Sequence, residues 1–388
     1  MDKKHHFLLS ILLSLGFVGG VQAGGAFVPD DQIISDPSVS LVDPEVDQTN
    51  HRIAWQDMQN NLWVADLDVD TVALTPTNGK GTLLDTNLAP LTSTLNGPEW
   101  AFGVAGSWIV YTNQSTYGYN IGAARQNKSG EWIVGNLKTS LLRSAPLGTP
   151  NTNTDTAAKT TYYRYNRQNS DHYLAWRNVN DPTTEGVFAD KTATSARWVE
   201  NLPLLVFPAM RDGFKQVILY DTENLQPTQL TFDPTDKYLP FIWMAPEYGE
   251  LLMMVMIDKT DIGIYHQVGS AWDLIYQYKL PTTKPFMHSP EPFVYNGQSY
   301  IMVVAADQLG GGGSFPGAPV GPTEIWVAGV DSAQPFFRRI DDPSYDARRL
   351  DPEIFISTSD AVVLYTEQND VTKRFVLKRA YTGLAAGL

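Results

Sequence analysis

The chain has 388 residues, a formal net charge of −14 at pH 7 and no cysteine. The negative charge argues against nucleic acids and acidic lipid surfaces as partners, because these polyanions attract basic proteins. The lack of cysteine excludes disulfides and thiolate chemistry, and the chain is longer than most single domains unless it is built from repeats.

The first predicted element is a secretory signal peptide over residues 1–23. Lys3 and Lys4 make a basic start, residues 7–18 are almost wholly apolar, and Val21 and Ala23 are the small residues that a signal peptidase reads. The apolar run is too short for a membrane-spanning helix, which needs about 20 residues. We therefore expect cleavage near Ala23, no membrane insertion, and a periplasmic or extracellular location. A bacterial source is favoured because secreted eukaryotic proteins of this size usually carry disulfides.

Residues 24–388 are predicted to form one domain made of repeats. In a phrase that recurs along the chain, Pro-Glu precedes a short strand of β-branched and aromatic residues. The four copies are Pro44-Glu45, Pro98-Glu99, Pro290-Glu291 and Pro352-Glu353. A second phrase, residues 62–68, returns as residues 325–331. Small antiparallel sheets packed face to face around an axis explain such repeats, so the sequence predicts an all-β fold, a β-propeller.

The repeat spacing predicts seven blades of roughly 50 residues, a length typical of kelch repeats; six blades, or five with large insertions, are the alternatives. The predicted units begin near Pro44, Pro98, Thr161, Ala196, Phe241, Pro290 and Pro352. The last unit has three strands, so we expect residues 32–42 to supply a strand that closes the ring. The polar run 149–160 is interpreted as a linker between blades.

Two stretches in the middle of the chain resemble TolB-like propellers. Residues 220–232 match the strand-ending phrase D-x-x-x-G-x-x-x-Q-L-T, and Trp243-Met244-Ala245-Pro246-Glu247 stands where that family has W-S-P-D-G. The resemblance covers about two blades. It implies the propeller architecture and says little about activity, because such propellers serve as enzymes, as accessory domains and as binding platforms.

The blade openings also resemble those of arabinanase-like, five-bladed glycosidases, as in Asp351-Pro352-Glu353 and Ser289-Pro290-Glu291. That family uses an Asp base in its first blade and a Glu acid in a later blade. The resemblance implies Asp43 or Asp36 as the base. Glu185 is a loose match to the acid, and no residue matches the second Asp of the family.

The repeated Pro-Glu places Glu45, Glu99, Glu291 and Glu353 at one mouth of the predicted channel. Crowded carboxylates raise one another's pKa, so they could exchange protons with a substrate or bind a hard cation such as Ca²⁺. The alternative is a purely structural blade-opening turn. The predicted catalytic residues are Glu291, Glu353, Asp351 and Asp43. The predicted ligand-binding residues are Glu45, Glu99, His288, Arg348 and Arg349.

Two functions therefore stay open. The first is a non-catalytic propeller that binds a protein partner or an oligosaccharide. The second is a carbohydrate-active hydrolase or lyase that uses the channel carboxylates. No serine-hydrolase, zinc-protease or EF-hand motif occurs in the sequence. The four arginines at 338, 339, 348 and 349 are interpreted mainly as ion-pair partners of neighbouring aspartates, with anion binding as the alternative.

Overall fold

The computed structural model describes residues 27–76, 78–91, 97–104, 106–115, 118–137, 144–147, 162–167, 174–199, 202–310 and 317–386. The predicted signal peptide lies outside these residues. The described residues form 29 strands and a 3-10 helix at Leu384–Ala386. In chain order the strands are β1 (Asp31–Ile33), β2 (Leu41–Asp47), β3 (Arg52–Asp57), β4 (Leu62–Leu67), β5 (Leu74–Thr75), β6 (Thr82–Asp85), β7 (Glu99–Gly103), β8 (Gly106–Ser115), β9 (Gly118–Gln126), β10 (Trp132–Asn136), β11 (Ser144–Leu147), β12 (Tyr162–Arg167), β13 (Leu174–Asn178), β14 (Asp181–Phe188), β15 (Arg197–Trp198), β16 (Leu204–Arg211), β17 (Phe214–Asp221), β18 (Gln226–Gln229), β19 (Lys237–Ala245), β20 (Glu250–Ile257), β21 (Asp261–Val268), β22 (Ala271–Tyr278), β23 (Phe286–Tyr295), β24 (Gln298–Leu309), β25 (Pro319–Gly329), β26 (Phe337–Arg339), β27 (Arg348–Ile356), β28 (Ala361–Gln368) and β29 (Phe375–Tyr381).

These strands pair into seven antiparallel sheets, numbered here by the chain order of their inner strands. The inner strands of sheets 1 to 7 are β2, β7, β11, β15, β19, β23 and β27. Sheet 7 is completed by the N-terminal strand β1, which pairs with β29 from Asp31↔Ala380 to Ile33↔Lys378. The predicted N-terminal closing strand is therefore present, but it is shorter than the predicted segment 32–42, and residues 41–42 belong to β2 of sheet 1.

The strands are buried on both faces because each sheet packs against two neighbours. In β27, Ile354 points into a core shared with sheet 6, and the next residue, Phe355, points into a core shared with sheet 1. Consecutive side chains of a strand alternate between faces, so such strands are apolar throughout. Seven apolar clusters, each between two consecutive sheets, complete a closed ring.

Sheet 3 begins earlier than the sequence predicts. Its first strand, β11, lies ahead of the expected unit start at Thr161 and pairs with β12. Run 149–160 itself lies outside the described residues. The strands on either side of it belong to the same sheet, so it is not a linker between blades. The prediction was wrong because β11 follows no Pro-Glu phrase.

A bulge recurs in four inner strands and positions the candidate site. In each bulge a residue with positive φ precedes a proline, and the register with the second strand shifts there. The four dipeptides are Asp43-Pro44, Leu239-Pro240, Ser289-Pro290 and Asp351-Pro352. Proline has no N–H to donate, so it suits an unpaired position, and a bulge re-aims the side chains that follow it.

Candidate functional site: an acidic channel

Carboxylates from four inner strands come together where those strands surround the axis of the ring. We call them the acidic channel cluster; its members are Asp43, Glu45, Glu99, Glu291, Asp351 and Glu353. The charges of Glu99 and Glu291 act on each other and on Glu45, although their sheets are well separated around the ring. Such coupling across the ring places these side chains inside it.

Two glutamates of the cluster have the strongest shifts. Burial raises the pKa of Glu45 well above its usual value, and the negative charges of Glu99 and Glu353 raise it further. Burial likewise raises the pKa of Glu353, followed by the charges of Glu291 and Glu99. Only 6% of Glu353 is exposed. A carboxylate in low-dielectric surroundings among like charges favours its neutral form. These carboxyl groups therefore stay protonated at pH values where the same groups in water would be ionised.

Two further members titrate close to neutral pH. Burial raises the pKa of Glu291 to about 8, against an opposing effect of Arg197. Burial and the charge of Asp43 raise the pKa of Asp351 to about 7, which Arg348 moderates. The channel can therefore offer both a protonated and an ionised carboxyl group at neutral pH, which is what general acid and base chemistry needs.

Asp43 is held in place by the backbone of the neighbouring sheet. The Gly97 N–H donates to Asp43 Oδ2 at 2.5 Å. Burial raises the pKa of Asp43, while this hydrogen bond and the charge of Arg197 lower it. Any Cβ at position 97 would lie 2.5 Å from Asp43 Oδ2, so glycine is required for this approach.

His288 lies just before the bulge of β23. Its Nδ1 is 2.9 Å from Ser289 Oγ, and the side chain is buried. Burial lowers the pKa of His288 to about 4, and the positive charge of Arg348 lowers it further. His288 is therefore neutral at pH 7. Arg348 Nε donates to the Pro319 carbonyl at 3.0 Å, which anchors the β24–β25 hairpin beside the start of β27.

Arg349 occupies a different environment from its neighbour. It is fully buried, with ion pairs to Asp341 at 2.9 Å and Glu367 at 3.0 Å. It also donates to the carbonyls of Thr323, Asp342 and Tyr345. These partners belong to sheets 6 and 7 and their connection, so the structure places Arg349 between strands and not with the acidic channel cluster.

The Pro-Glu glutamates lie deeper than the sequence suggests. Glu45, Glu291 and Glu353 follow bulges in the middle of β2, β23 and β27, whereas Glu99 is the first residue of β7. Three of the four thus lie in mid-strand. Glu99 is only 2% exposed and pairs with Val110 in the middle of β8, so it too lies inside the channel and not at its mouth.

The two other acidic residues implied by the glycosidase resemblance lie elsewhere. Glu185 is on β14, at the far side of sheet 3 from its inner strand, and is 3.2 Å from Arg177. Asp36 accepts the Ser38 N–H in the turn between β1 and β2. The structure brings neither of them to Asp43, and the seven sheets exceed the five blades of that family.

Sequence reasoning missed Arg197, the cation of sheet 4 that faces the cluster. Its charge acts on Asp43 and Glu291, and its guanidinium lies 5.1 Å from the ring centre of Phe241. The only available signal was its place directly after the predicted unit start at Ala196. Arginine beside an apolar strand has many structural uses, so that signal was weak.

Within the described residues, no group of three or more histidine or acidic side chains has an arrangement that could hold a metal ion. The same part of the chain contains no helix long and apolar enough to cross a membrane.

Comparison with known proteins identifies the fold. An oligogalacturonate lyase in complex with manganese matches with a TM-score of 0.56 and 10% identity, over 92% of this chain and 94% of that chain. The β-propeller domain of Cps50 (Swd1) from Myceliophteria thermophila matches with a TM-score of 0.52 and 9% identity, over 90% and 99%. The chain is a β-propeller. The predicted all-β propeller is therefore confirmed.

A putative TolB from Agrobacterium tumefaciens matches this propeller with 9% identity over 62% of the chain and 81% of that chain, at a TM-score of 0.39 that carries no argument. The propeller fold that the TolB-like resemblance implies is confirmed by the oligogalacturonate lyase and the Cps50 (Swd1) domain. No protein-family model and no curated protein matches the sequence.

Proposed function

We propose that this propeller is an exported binding protein whose acidic channel cluster receives a positively charged group of a ligand or partner. The observation that carries this proposal is the convergence of six carboxyl groups on the axis, with Arg197 and Arg348 as the cations acting on them. Like charges buried together destabilise the ligand-free state. A bound cation relieves that repulsion, so binding and folding are linked.

The bulges support this proposal because the same bulge precedes a glutamate in three sheets, at Glu45, Glu291 and Glu353. Glu353 is almost fully buried, and the charges that act on it most strongly are all negative. Buried carboxylates are ordinarily hydrogen-bonded or ion-paired. A ligand cation would supply the opposite charge.

A thermal-shift experiment at low ionic strength tests the proposal with two organic cations as probes, spermidine and trilysine. We expect at least one probe to raise the melting temperature of the wild type, and the rise to be lost in the double variant Glu291→Gln/Glu353→Gln. Glu223→Gln, at an exposed turn of sheet 4, is the control and keeps the full shift. No shift with any probe, or an equal shift in the double variant, contradicts the proposal.

A carbohydrate-active hydrolase or lyase is the second candidate, and one observation favours it. Glu291 and Asp351 have pKa values of about 8 and about 7, and the charge of Asp351 raises the pKa of Glu291. An acid and a base in one site need such separate pKa values. Incubation with arabinan and polygalacturonate tests it. New reducing ends, or the ultraviolet absorbance of an unsaturated product, must appear with the wild type and vanish with Glu291→Gln.

Export is a separate part of the proposal. Its support is the basic, apolar and small-residue pattern of residues 1–23. Expression in a bacterium followed by fractionation and N-terminal sequencing tests it. We expect a mature chain that starts near Gly24 outside the cytoplasm; a full-length cytoplasmic chain contradicts it.

A further inference from the structure

Sheet 1 departs from the other sheets at its outer edge. Two short strands replace a single fourth strand. Strand β5 pairs with Asp66 and Leu67 of β4, and β6 pairs with residues 62–64 of the same strand. The described outer strands of the other sheets are single. The chain between β5 and β6 leaves the sheet, so the edge of β4 is interrupted near Ala65.

A cavity of about 270 Å³ lies at this interruption, between sheets 1 and 2. We call it the outer pocket. Asp66, Thr75 and Thr82 line it from sheet 1, and Gln126 and Trp132 line it from sheet 2. Backbone pairing on β4 is lost at the interruption, and a polar cavity forms there. The indole ring of Trp132, from sheet 2, lines the same cavity.

The close approach that forms the pocket depends on Gly81. A Cβ at this position would lie 2.6 Å from the Trp55 ring and 2.7 Å from the Val64 carbonyl oxygen. The backbone before β6 therefore returns against β4 with no room for a side chain. As a result, Thr75 and Thr82 lie along β4 on the two sides of Ala65, paired with Asp66 and Val64.

Arg52 holds two of the lining groups in place. Its Nε is 3.1 Å from Asp66 Oδ1, and its guanidinium lies 5.7 Å from the ring centre of Trp132. The carboxylate charge is thus balanced by an arginine, and the indole is held by a cation–π contact. Trp132 and Gln126 are both half-buried and line the pocket, so the indole N–H and the side-chain amide are within reach of a ligand there.

The lining chemistry indicates the class of ligand. An indole ring provides a flat apolar surface with a polar edge. The amide of Gln126 and the two threonine hydroxyls can both donate and accept hydrogen bonds. A neutral sugar ring has the complementary surface, since it carries an apolar C–H face and a rim of hydroxyl groups. A charged ligand would need a free countercharge, and the one carboxylate of the pocket is already paired with Arg52.

We propose that the outer pocket binds one neutral sugar residue of a polysaccharide, with Trp132 beneath the ring and Asp66, Gln126, Thr75 and Thr82 around its hydroxyl groups. The volume of about 270 Å³ is just below the ~300–1,000 Å³ of pockets that enclose a drug-sized ligand, which suits a single ring. This site is separate from the acidic channel cluster and does not depend on the function proposed for it.

Affinity gel electrophoresis tests this inference with four soluble polysaccharides: xylan, galactomannan, dextran and polygalacturonate. We expect at least one of the three neutral polymers to retard the wild type, and Trp132→Ala to reduce the retardation at least tenfold, which corresponds to about 1.4 kcal/mol. Tyr248→Ala removes an exposed aromatic ring from a turn in sheet 5 and is expected to keep the wild-type retardation.

Gln126→Ala is the second variant, because Trp132 also packs against the core between sheets 1 and 2 and its loss could unfold the protein. We expect Gln126→Ala to melt as the wild type does and to lose several-fold in retardation. The inference is overturned if no neutral polymer retards the wild type, if only polygalacturonate does, or if folded Trp132→Ala and Gln126→Ala are retarded as strongly as the wild type.

Discussion

Strands β19 and β27 have the same bulge with opposite chemistry. In β27 the bulge reads Asp351-Pro352 and is followed by Glu353, whereas in β19 it reads Leu239-Pro240 and is followed by Phe241. Both shift register at this point against their second strand. The bulge therefore needs the proline and a residue with positive φ but no acidic side chain.

The comparison separates what serves the fold from what serves the site. Phe241 is buried in the core between sheets 5 and 6 and lies under the guanidinium of Arg197. Glu353 fills the corresponding position with a carboxylate that repels its neighbours and has a raised pKa. A blade-opening turn explains the prolines, and it does not explain the glutamates. The following predictions test this distinction, beginning with the largest effect.

Phe241→Ala should lower the free energy of unfolding by about 3–5 kcal/mol, because it opens a cavity in a packed core. Urea denaturation measures the change. Phe232→Ala is the control, since that ring is 77% exposed and its loss should change stability by no more than about 0.5 kcal/mol. If both variants lose the same free energy of unfolding, Phe241 does not stabilise the fold through core packing.

Glu353→Gln should do the opposite and stabilise the protein at pH values near the raised pKa of the cluster. The expected gain is about 1.4 kcal/mol for each pKa unit by which the native state raises the pKa of Glu353. The gain should disappear in acid, where the wild-type carboxyl group is itself neutral. Urea denaturation at both pH values checks this, with Glu223→Gln as the surface control. A loss of stability near neutral pH would mean that Glu353 stabilises the fold.

The stability of the wild type should fall as the pH rises through the acidic channel cluster. Glu291 has an ordinary pKa of 4.5 and a native pKa of about 8, so within that window the native state keeps a proton that the unfolded state has lost. Stability decreases with pH wherever the native state binds more protons. Denaturation at a series of pH values measures the slope, which should flatten in Glu291→Gln/Glu353→Gln.

His288 acts in the opposite direction over a lower range. Its pKa falls from 6.5 to about 4 in the native state, so between these values the unfolded state binds the extra proton and stability rises with pH. In the same series of denaturation experiments, the free energy of unfolding of His288→Gln should therefore fall more steeply with pH than that of the wild type between about pH 4 and pH 6.5. Above pH 6.5 the two slopes should be equal. An unchanged slope below pH 6.5 would contradict the assigned burial of His288.

Ser289→Ala should have the smallest effect. Ser289 takes the place that aspartate has in β2 and β27, and its hydroxyl contacts His288 Nδ1 at 2.9 Å. Loss of one such hydrogen bond costs about 0.5–1.5 kcal/mol. Ser332→Ala, at an exposed turn, is the control with no expected change. A loss above that range would assign Ser289 a larger part in the bulge than the hydrogen bond explains.

Much of the fold could be read from the sequence because a repeat is a local signal. Pro44, Pro290 and Pro352 mark three of the four bulges, and the three-stranded last unit correctly required an N-terminal strand. The fourth bulge, at Pro240, was missed because Phe241 follows it in place of glutamate. The start of sheet 3 was missed for the same reason, since β11 follows no Pro-Glu.

The candidate site was only partly predictable. Glu45, Glu291 and Glu353 were found through their phrase, and the structure brings them together with Asp43 and Asp351. Arg349 was predicted beside them, but a single residue along a strand reverses the face on which a side chain lies, and it is buried among other partners. Arg197 reaches the cluster from a sheet whose sequence shows no sign of it.

The sequence by itself determined the all-β repeat, the prolines that interrupt pairing and the acidic residues that follow three of them. All of these depend on neighbours within a few residues. Only the tertiary structure decided which charges share the channel, because closure of the ring brings together sheets that are far apart in the chain. It also decided that the edge of sheet 1 opens into a pocket facing Trp132, since that pocket exists only between two packed sheets.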